Sequence, residues 1–390
     1  MRRQICFVAT VDIAVKFFLI DHLKALVPGF DVTVVTNTND VNFLKPFGLD
    51  AGIKVIPLYM ERKISPLRDV ISFFQLYRLF RKYQFDIVHS IMPKSGLLSM
   101  ACACLAGIPI RIHTFTGQIW ATRSGLSRLC FKLLDKLLSV CATNILVDSY
   151  SQRDFIVREG VVSMKKSFVI ANGSMRGVDK ERFMPNRNNR AVVRKMFSIG
   201  ETDAVFIFIG RLTLDKGLID LANAFLKICE LHRNVHLIIV GPDEDNMRSR
   251  ISSICFEYAD KLHFEDYTDS PERYIAAADV LCLPSYREGF GSVIIEAAST
   301  GIPSIGTRIY GITDAIEEGV TGLLYEPGNV DQLFINMTYF LENPDIRKEM
   351  GKSARKRALR DFSKEVVVSG MLAYYESLLK THHLCSTTNS

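Results

Sequence analysis

Short runs rich in Val, Ile and Leu recur along the chain, each followed by a longer stretch with helical spacing. In the first half they are QICFVAT, DVTVVTN, GIKVIPL, DIVHS, IRIHTF, NILVDS and SFVIAN; in the second, AVFIFIG, VHLIIVG, LHFEDY, VLCLPS, PSIGT and GLLYEP. Near-continuous apolar runs predict strands covered on both faces, and the intervening helices predict parallel sheets. The rhythm breaks at MPNRNNRAVVRK, whose polarity reads as a linker. Two Rossmann-like α/β domains follow, one over residues 1–185 and one over 186–363. Ligands of open α/β sheets collect beyond the carboxyl ends of the strands, so the expected site is a cleft where the two domains face each other.

Two helical patterns have a distinct character. Leu126, Leu129, Cys130, Leu133, Leu134, Leu137 and Leu138 form one face of a helix, with Arg128, Lys132 and Lys136 on another. Leu67, Val70, Ile71, Phe74 and Tyr77 form a similar face earlier. Residues 61–82 hold six Lys or Arg against two acids, and residues 121–140 hold four against one, while the whole chain carries +6. The positive charge is therefore local. A basic amphipathic helix suits an anionic membrane surface; the alternative is a half-buried helix whose polar side happens to be basic. No interleaving of aromatic and basic residues suggests nucleic acid.

Composition narrows the class. In 390 residues, 48% hydrophobic and 23% charged content is that of a globular protein with room for two cores. The nine cysteines fall at irregular spacings without a CxxC, which predicts buried reduced thiols in a cytosolic protein and no zinc site. The N-terminal MRRQICFVATVDIAVKFFLI imitates a signal peptide, but Asp12 and Lys16 interrupt it, so strand and helix start are expected there. The longest uncharged run, residues 95–110, is too short and too broken to span a bilayer.

The chemistry lies in residues that follow strands. In GRLTLDKG, Arg211 and Lys216 stand five apart before a helix, where two cations and free N–H groups match a diphosphate. The loop has neither the Walker A nor the G-x-G-x-x-G pattern. In SYREGFGSVIIEAASTGIP, Glu288 precedes the turn Gly289-Phe290-Gly291 and Glu296 lies inside the helix that follows. Glycine lets the backbone approach a ligand and present its N–H groups. One carboxylate can then serve each end of an elongated nucleotide-linked molecule. Asp243 and Asp245 in GPDEDN read as solvated loop acids.

GRLTLDKG with REGFGSVIIEAASTGIPSIGT resembles the retaining glycosyltransferases of family 4, of the GT-B fold, whose E-x7-E signature matches Glu288 to Glu296. GITDAIEEGVTGLLYEPGN extends the likeness through the second domain. DIVHSIMPKSGLLSMACACLAGIPIRIHTFTG and NGSMRGVDKERFMP are similar to the first domain of transferases that build bacterial surface polysaccharides such as O-antigen and capsule. The first loop, ATVDIAVKFF, lacks the Gly-Gly pair of many relatives.

The resemblance implies that Arg211 and Lys216 hold the diphosphate of an activated sugar, with the backbone of Gly289, Phe290 and Gly291 assisting. Glu288 would bind hydroxyls at the reacting end and Glu296 the ribose. His113, taken to lie in the loop after IPIRI, would join Glu288 in catalysis. It also implies retention of configuration by front-face attack, a UDP-linked donor, no metal and no cofactor. The C-terminal helix, about 364–390, would pack back on the first domain. Lys94 and Asp12 would meet a glycan or polyprenyl-diphosphate acceptor at the cytoplasmic membrane face. The competing readings are a UDP-sugar 2-epimerase and a non-catalytic sugar-nucleotide or membrane-binding scaffold; a dehydrogenase lacks its glycine fingerprint.

Overall fold

The computed structural model describes residues 2–61 and 65–387, with side chains to residue 382. Arg62 and Lys63 of the first basic segment, and the side chain of Cys385, lie outside the described residues. The chain divides into two compact units, one reaching to Arg176 and resuming at Lys364, the other Gly177–Ser363.

The first unit runs β1 (Arg3–Val11), α1 (Asp12–Phe18), α2 (Ile20–Leu26), β2 (Phe30–Asn37), β3 (Ile53–Pro57), α3 (Pro66–Tyr83), β4 (Ile87–Ile91), α4 (Pro93–Leu105), β5 (Ile110–Phe115), α5 (Gly125–Cys141), β6 (Asn144–Val147), α6 (Tyr150–Arg158) and β7 (Ser167–Val169). Its strands form one parallel sheet in the order β3-β2-β1-β4-β5-β6-β7, reversing direction of travel between β1 and β4. Alternate residues of a strand feed opposite cores. Ile5 and Phe7 join the layer of α1 and α2, while Cys6 and Val8 join that of α3, α4 and α5.

The second unit runs α7 (Arg187–Met196), β8 (Ala204–Ile209), α8 (Leu218–Leu231), β9 (Val235–Val240), α9 (Met247–Ile254), β10 (Leu262–Glu265), α10 (Pro271–Ala277), β11 (Val280–Leu283), α11 (Ser292–Ser299), β12 (Ser304–Thr307), α12 (Ile312–Ala315), β13 (Gly322–Tyr325), α13 (Val330–Glu342) and α14 (Pro344–Asp361). Its sheet is parallel, ordered β10-β9-β8-β11-β12-β13. The last helix, α15 (Lys364–Thr387), belongs to the first unit, placing Met371 and Tyr375 in the core of α1 and α2.

Three expectations need correction. The supposed linker is largely α7, packed on α10. Its arginines are bonded rather than solvated: Arg194, 3% exposed, reaches Asp279 at 2.9 Å and the carbonyl of Ala277 at 3.0 Å, and Arg190 reaches Asp279 at 2.9 Å. Residues 177–185, set before the junction by sequence, pack with the second unit, where Val178 and Phe183 enter its core. Among the described cysteines, five are buried, but Cys104 and Cys130 are exposed on α4 and α5.

α15 is fastened by a buried polar contact. The Tyr375 hydroxyl lies 2.6 Å from His89 Nδ1, and His89 Nε2 lies 2.7 Å from Thr114 Oγ1. Burial lowers the His89 pKa to about 3, so the ring is neutral in this bond. Tyr375→Phe leaves one buried ring nitrogen without a partner, which costs about 1–3 kcal/mol. The expected result is a lower denaturant midpoint for the first unit with an unchanged slope, read by equilibrium denaturation.

Candidate active site

In the second unit the loops after β8 and β11 hold each other through two crossed ion pairs. Asp215 and Lys216 follow β8; Arg287 and Glu288 follow β11. Lys216 Nζ donates to Glu288 Oε1 at 2.5 Å, and Arg287 Nη2 donates to Asp215 Oδ2 at 2.7 Å. The backbone N–H of Tyr286 adds a bond to the Asp215 carbonyl at 2.9 Å, and the Ser285 hydroxyl donates to Glu288 Oε1 at 2.8 Å. Burial works to raise the Asp215 pKa, but the Thr213 hydroxyl at 2.6 Å and the Arg287 guanidinium hold it below its ordinary value. Lys216 and Glu288 keep only 15% and 14% of their side-chain surface, so their attraction is screened less than that of a surface pair.

Glycine makes the approach possible. Gly217 has φ 68° and a Cβ there would collide with the Pro284 carbonyl. Gly291, with φ 72°, is the N-cap of α11, turning the chain into the helix. Glu296 lies inside α11, 5% exposed. The Phe290 side chain packs in the core against Phe362, ring centroids 5.1 Å apart, so this residue offers only its backbone outward. Gly289 lies in the same loop, between Glu288 and Phe290.

Arg211 is the more exposed cation of its loop and pairs with Glu244 at 2.9 Å. The acids of GPDEDN are not free solvated groups, contrary to expectation. Asp243 accepts from the N–H groups of Met247 and Arg248 at the start of α9, at 2.8 and 3.0 Å, and Asp245 accepts from the Leu214 N–H at 2.9 Å. No cluster of three or more metal-ligating side chains occurs among the described residues. Sequence reasoning missed Asp215, Ser285, Arg287 and Glu244. The signal was there as two adjacent opposite-charge dipeptides, Asp-Lys and Arg-Glu, each a few residues past a strand.

In the first unit, Asp12 begins α1 directly after β1, and Lys94 lies in the first turn of α4 after β4. They follow neighbouring strands at the reversal point of the sheet, where ligands of such sheets bind. Lys94 pairs with Asp69 of α3 at 2.6 Å, and Asp12 accepts from Lys16 at 3.3 Å.

His113 is not in a loop. It is the fourth residue of β5, fully buried, its Nδ1 2.8 Å from Ser90 Oγ. Its ring fills the space that a Cβ at Gly96 of α4 would need. Burial pulls its pKa to about 3, and Nε2 has no partner among the described residues. The residues that leave β5 toward the ligand edge are Thr116 and Gly117.

Each unit contains a segment that resembles known glycosyltransferases. The family model for glycosyl transferases group 1 matches residues 189–357, and that for glycosyl transferase 4-like domains matches residues 4–149. The chain is 28% identical to the capsular polysaccharide biosynthesis glycosyltransferase CapM of Staphylococcus aureus, covering 90% of this chain and 91% of that protein. It is 29% identical to the UDP-Gal:alpha-D-GlcNAc-diphosphoundecaprenol alpha-1,3-galactosyltransferase of Escherichia coli, over 77% and 78%. Among solved structures, Anabaena Alr3699/HepE in complex with UDP superposes with a TM-score of 0.79 at 17% identity, over 97% of this chain and all of that one.

One buried acid beside β6 has a measurable consequence. Asp148 follows the strand with Oδ1 unpartnered among the described residues, and burial pushes its pKa up to about 7. The folded state therefore holds a proton that the unfolded chain releases near the ordinary value of 3.8. The associated stability is full below that value and is lost as pH rises through about 7. Asp148→Asn removes this dependence. Its melting temperature is expected to exceed that of the wild type by a margin that grows from about pH 5 to about pH 8, reaching a few kcal/mol in stability.

Proposed function

We propose a specific activity for a chain that belongs to the GT-B glycosyltransferases: retaining transfer of a sugar from a UDP-linked donor to a polyprenyl-diphosphate-linked glycan, in the assembly of a bacterial surface polysaccharide. The observation that carries it is the Lys216–Glu288 pair at the carboxyl edge of the second sheet. There an ammonium for phosphate oxygens and a carboxylate for sugar hydroxyls stand 2.5 Å apart on two mutually fixed loops. The names of the Escherichia coli and Staphylococcus aureus relatives support the donor and the pathway class.

In this reading the acceptor hydroxyl attacks the anomeric carbon from the face the leaving group departs. The bond from that carbon to the diphosphate oxygen breaks with its electron pair on the phosphate, which takes the hydroxyl proton. Negative charge grows on the departing nucleoside diphosphate, and Lys216 and Arg211 stabilise it most in the transition state. Glu288 orients the donor sugar and Glu296 holds the ribose. His113, neutral and buried in β5, supports the first sheet instead of touching a sugar. Nothing in this chemistry calls for a metal. Lys94 and Asp12 face the acceptor, whose lipid carrier keeps the reaction at a membrane surface.

Two measurements test the reading. UDP is expected to raise the melting temperature of the wild type, because a ligand at a hundred times its Kd adds about 2.7 kcal/mol. Lys216→Ala should abolish that shift and lower kcat/KM for the UDP-sugar by at least about a hundredfold, ~2.7 kcal/mol. A UDP-sugar converted without acceptor would instead support an epimerase. Lys94→Ala should raise KM for the lipid-linked acceptor about tenfold, ~1.4 kcal/mol, while the donor KM stays unchanged; an unchanged acceptor KM removes Lys94 from the acceptor site.

A further inference from the structure

α4 packs between α3 and α5 on one face of the first sheet, and the inward residues of the three helices share one core. The outward side is unusual. Sequence periodicity divides α5 into a leucine face and a basic face, and the leucine face is turned out except at Leu138, which enters the core. Leu126, Leu129, Leu133, Leu137 and Val140 are exposed, Leu126 to 80% and Val140 to 69%. At 1.5 Å per residue the stripe is about 21 Å long. On α3, Leu67, Ile71 and Phe74 are likewise exposed, Leu67 to 84%.

The cations that should have faced water are used inside the unit. Arg128 and Lys132 bond Glu159 of α6 at 2.9 and 2.7 Å and lie over the Trp120 ring, 5.3 and 5.8 Å from its centroid. The two acids of α3 and α5 are also engaged: Asp69 with Lys94, Asp135 with the Trp120 N–H at 2.7 Å. What these two helices present outward therefore includes no unpaired acid: apolar side chains, the neutral Ser127 and Gln75, and cations, Lys136 on α5 with Arg123 just before it and Arg78, Arg81 and Lys82 on α3.

We infer that this side of the first unit docks on an anionic lipid bilayer, the leucine stripe of α5 and the first turns of α3 entering the acyl boundary while the flanking cations meet lipid phosphates. A stripe of this kind can also be covered by a second copy of the chain. Two-fold pairing, however, would set a surface without a free acid on either helix against itself, cation facing cation. A bilayer bearing anionic lipid gains from the same cations and takes up the same leucines. The inference rests on the membrane-resident acceptor proposed above and names the surface that brings the enzyme to it.

The test is sedimentation of the full chain with phosphatidylglycerol–phosphatidylethanolamine vesicles, set against pure phosphatidylcholine vesicles. The wild type is expected to pellet with the anionic vesicles and to bind the neutral ones at least tenfold more weakly. Leu129→Glu/Leu133→Glu should lose at least tenfold in partition to anionic vesicles, while melting temperature and transfer to a water-soluble acceptor analogue stay as in the wild type. Lys216→Ala should lose transfer and keep vesicle binding. A double variant that pellets like the wild type overturns the docking surface. So does a wild-type dimer in light scattering that the double variant dissolves and that ignores vesicles. Intact transfer without vesicle binding sinks the docking surface alone; vesicle binding without transfer by the wild type sinks the transferase reading alone.

Discussion

Two neighbouring residues of one loop gripping two neighbouring residues of another, with the charge order reversed, is the constraint that fixes the carboxyl edge of the second sheet. Asp215 and Lys216 meet Arg287 and Glu288 so that each acid finds a cation and neither loop carries a stranded charge. Partly buried ion pairs recover their desolvation cost only when geometry is fixed and other hydrogen bonds complete the shell. Here Thr213, Ser285 and the Tyr286 backbone complete it, and Gly217 lets the loops close to contact. Lys216 is held in place by these pairs, so under the proposed transfer a diphosphate meets a cation already ordered, the preorganised charge that best stabilises a developing anion.

The strands were legible in sequence for a physical reason. A strand buried on both faces of a parallel sheet must be apolar at nearly every position, and each of the thirteen apolar runs overlaps a strand. What composition could not show was the partner of a polar residue. The stretch MPNRNNRAVVRK is as polar as a linker, yet Arg190 and Arg194 find Asp279 and the last carbonyls of α10, which turns the stretch into packed helix. The acids of GPDEDN look solvated for the same reason, yet Asp243 caps α9, Asp245 accepts from the Leu214 N–H and Glu244 pairs with Arg211. The candidate site was legible as single residues, Arg211, Lys216, Glu288 and Glu296, because each follows or enters an element at a loop rich in glycine. The pairs between them were not, because the register of two loops separated by more than seventy residues is set by the order of β8 and β11 in the sheet.

Depth within an element is a second quantity that a motif does not carry. His113 belongs to a matched run of letters, but β5 continues two residues past it and α4 closes over it at Gly96. A neutral, buried imidazole bonded to Ser90 is a packed part of the first unit's sheet. The same sheet edge holds Asp148 in an environment that favours its proton and joins β4 to α15 through His89 and Tyr375. The carboxyl edge of the first sheet is thus built on buried polar groups whose protonation is set by desolvation, not by exposed charge.

The orientation of α5 follows from the same balance. Each leucine left in water forgoes on the order of 1.5–3 kcal/mol relative to full burial, and rotating the helix would recover part of that. Rotation would also pull Arg128 and Lys132 off Glu159 and Asp135 off Trp120, and force charged groups toward the apolar core beneath α4 and β6. Removing an ion from water into such a core costs several kcal/mol even after relaxation. The charged face therefore stays where it has partners, and the helix keeps its leucines outward as the lesser cost. A helical period identifies two faces but not which is inward; that choice was made by Glu159 and Trp120, residues outside the helix. A fold that leaves such a stripe in water has a reason to place it against something apolar, and a lipid surface satisfies it without disturbing the pairs that set the helix's rotation.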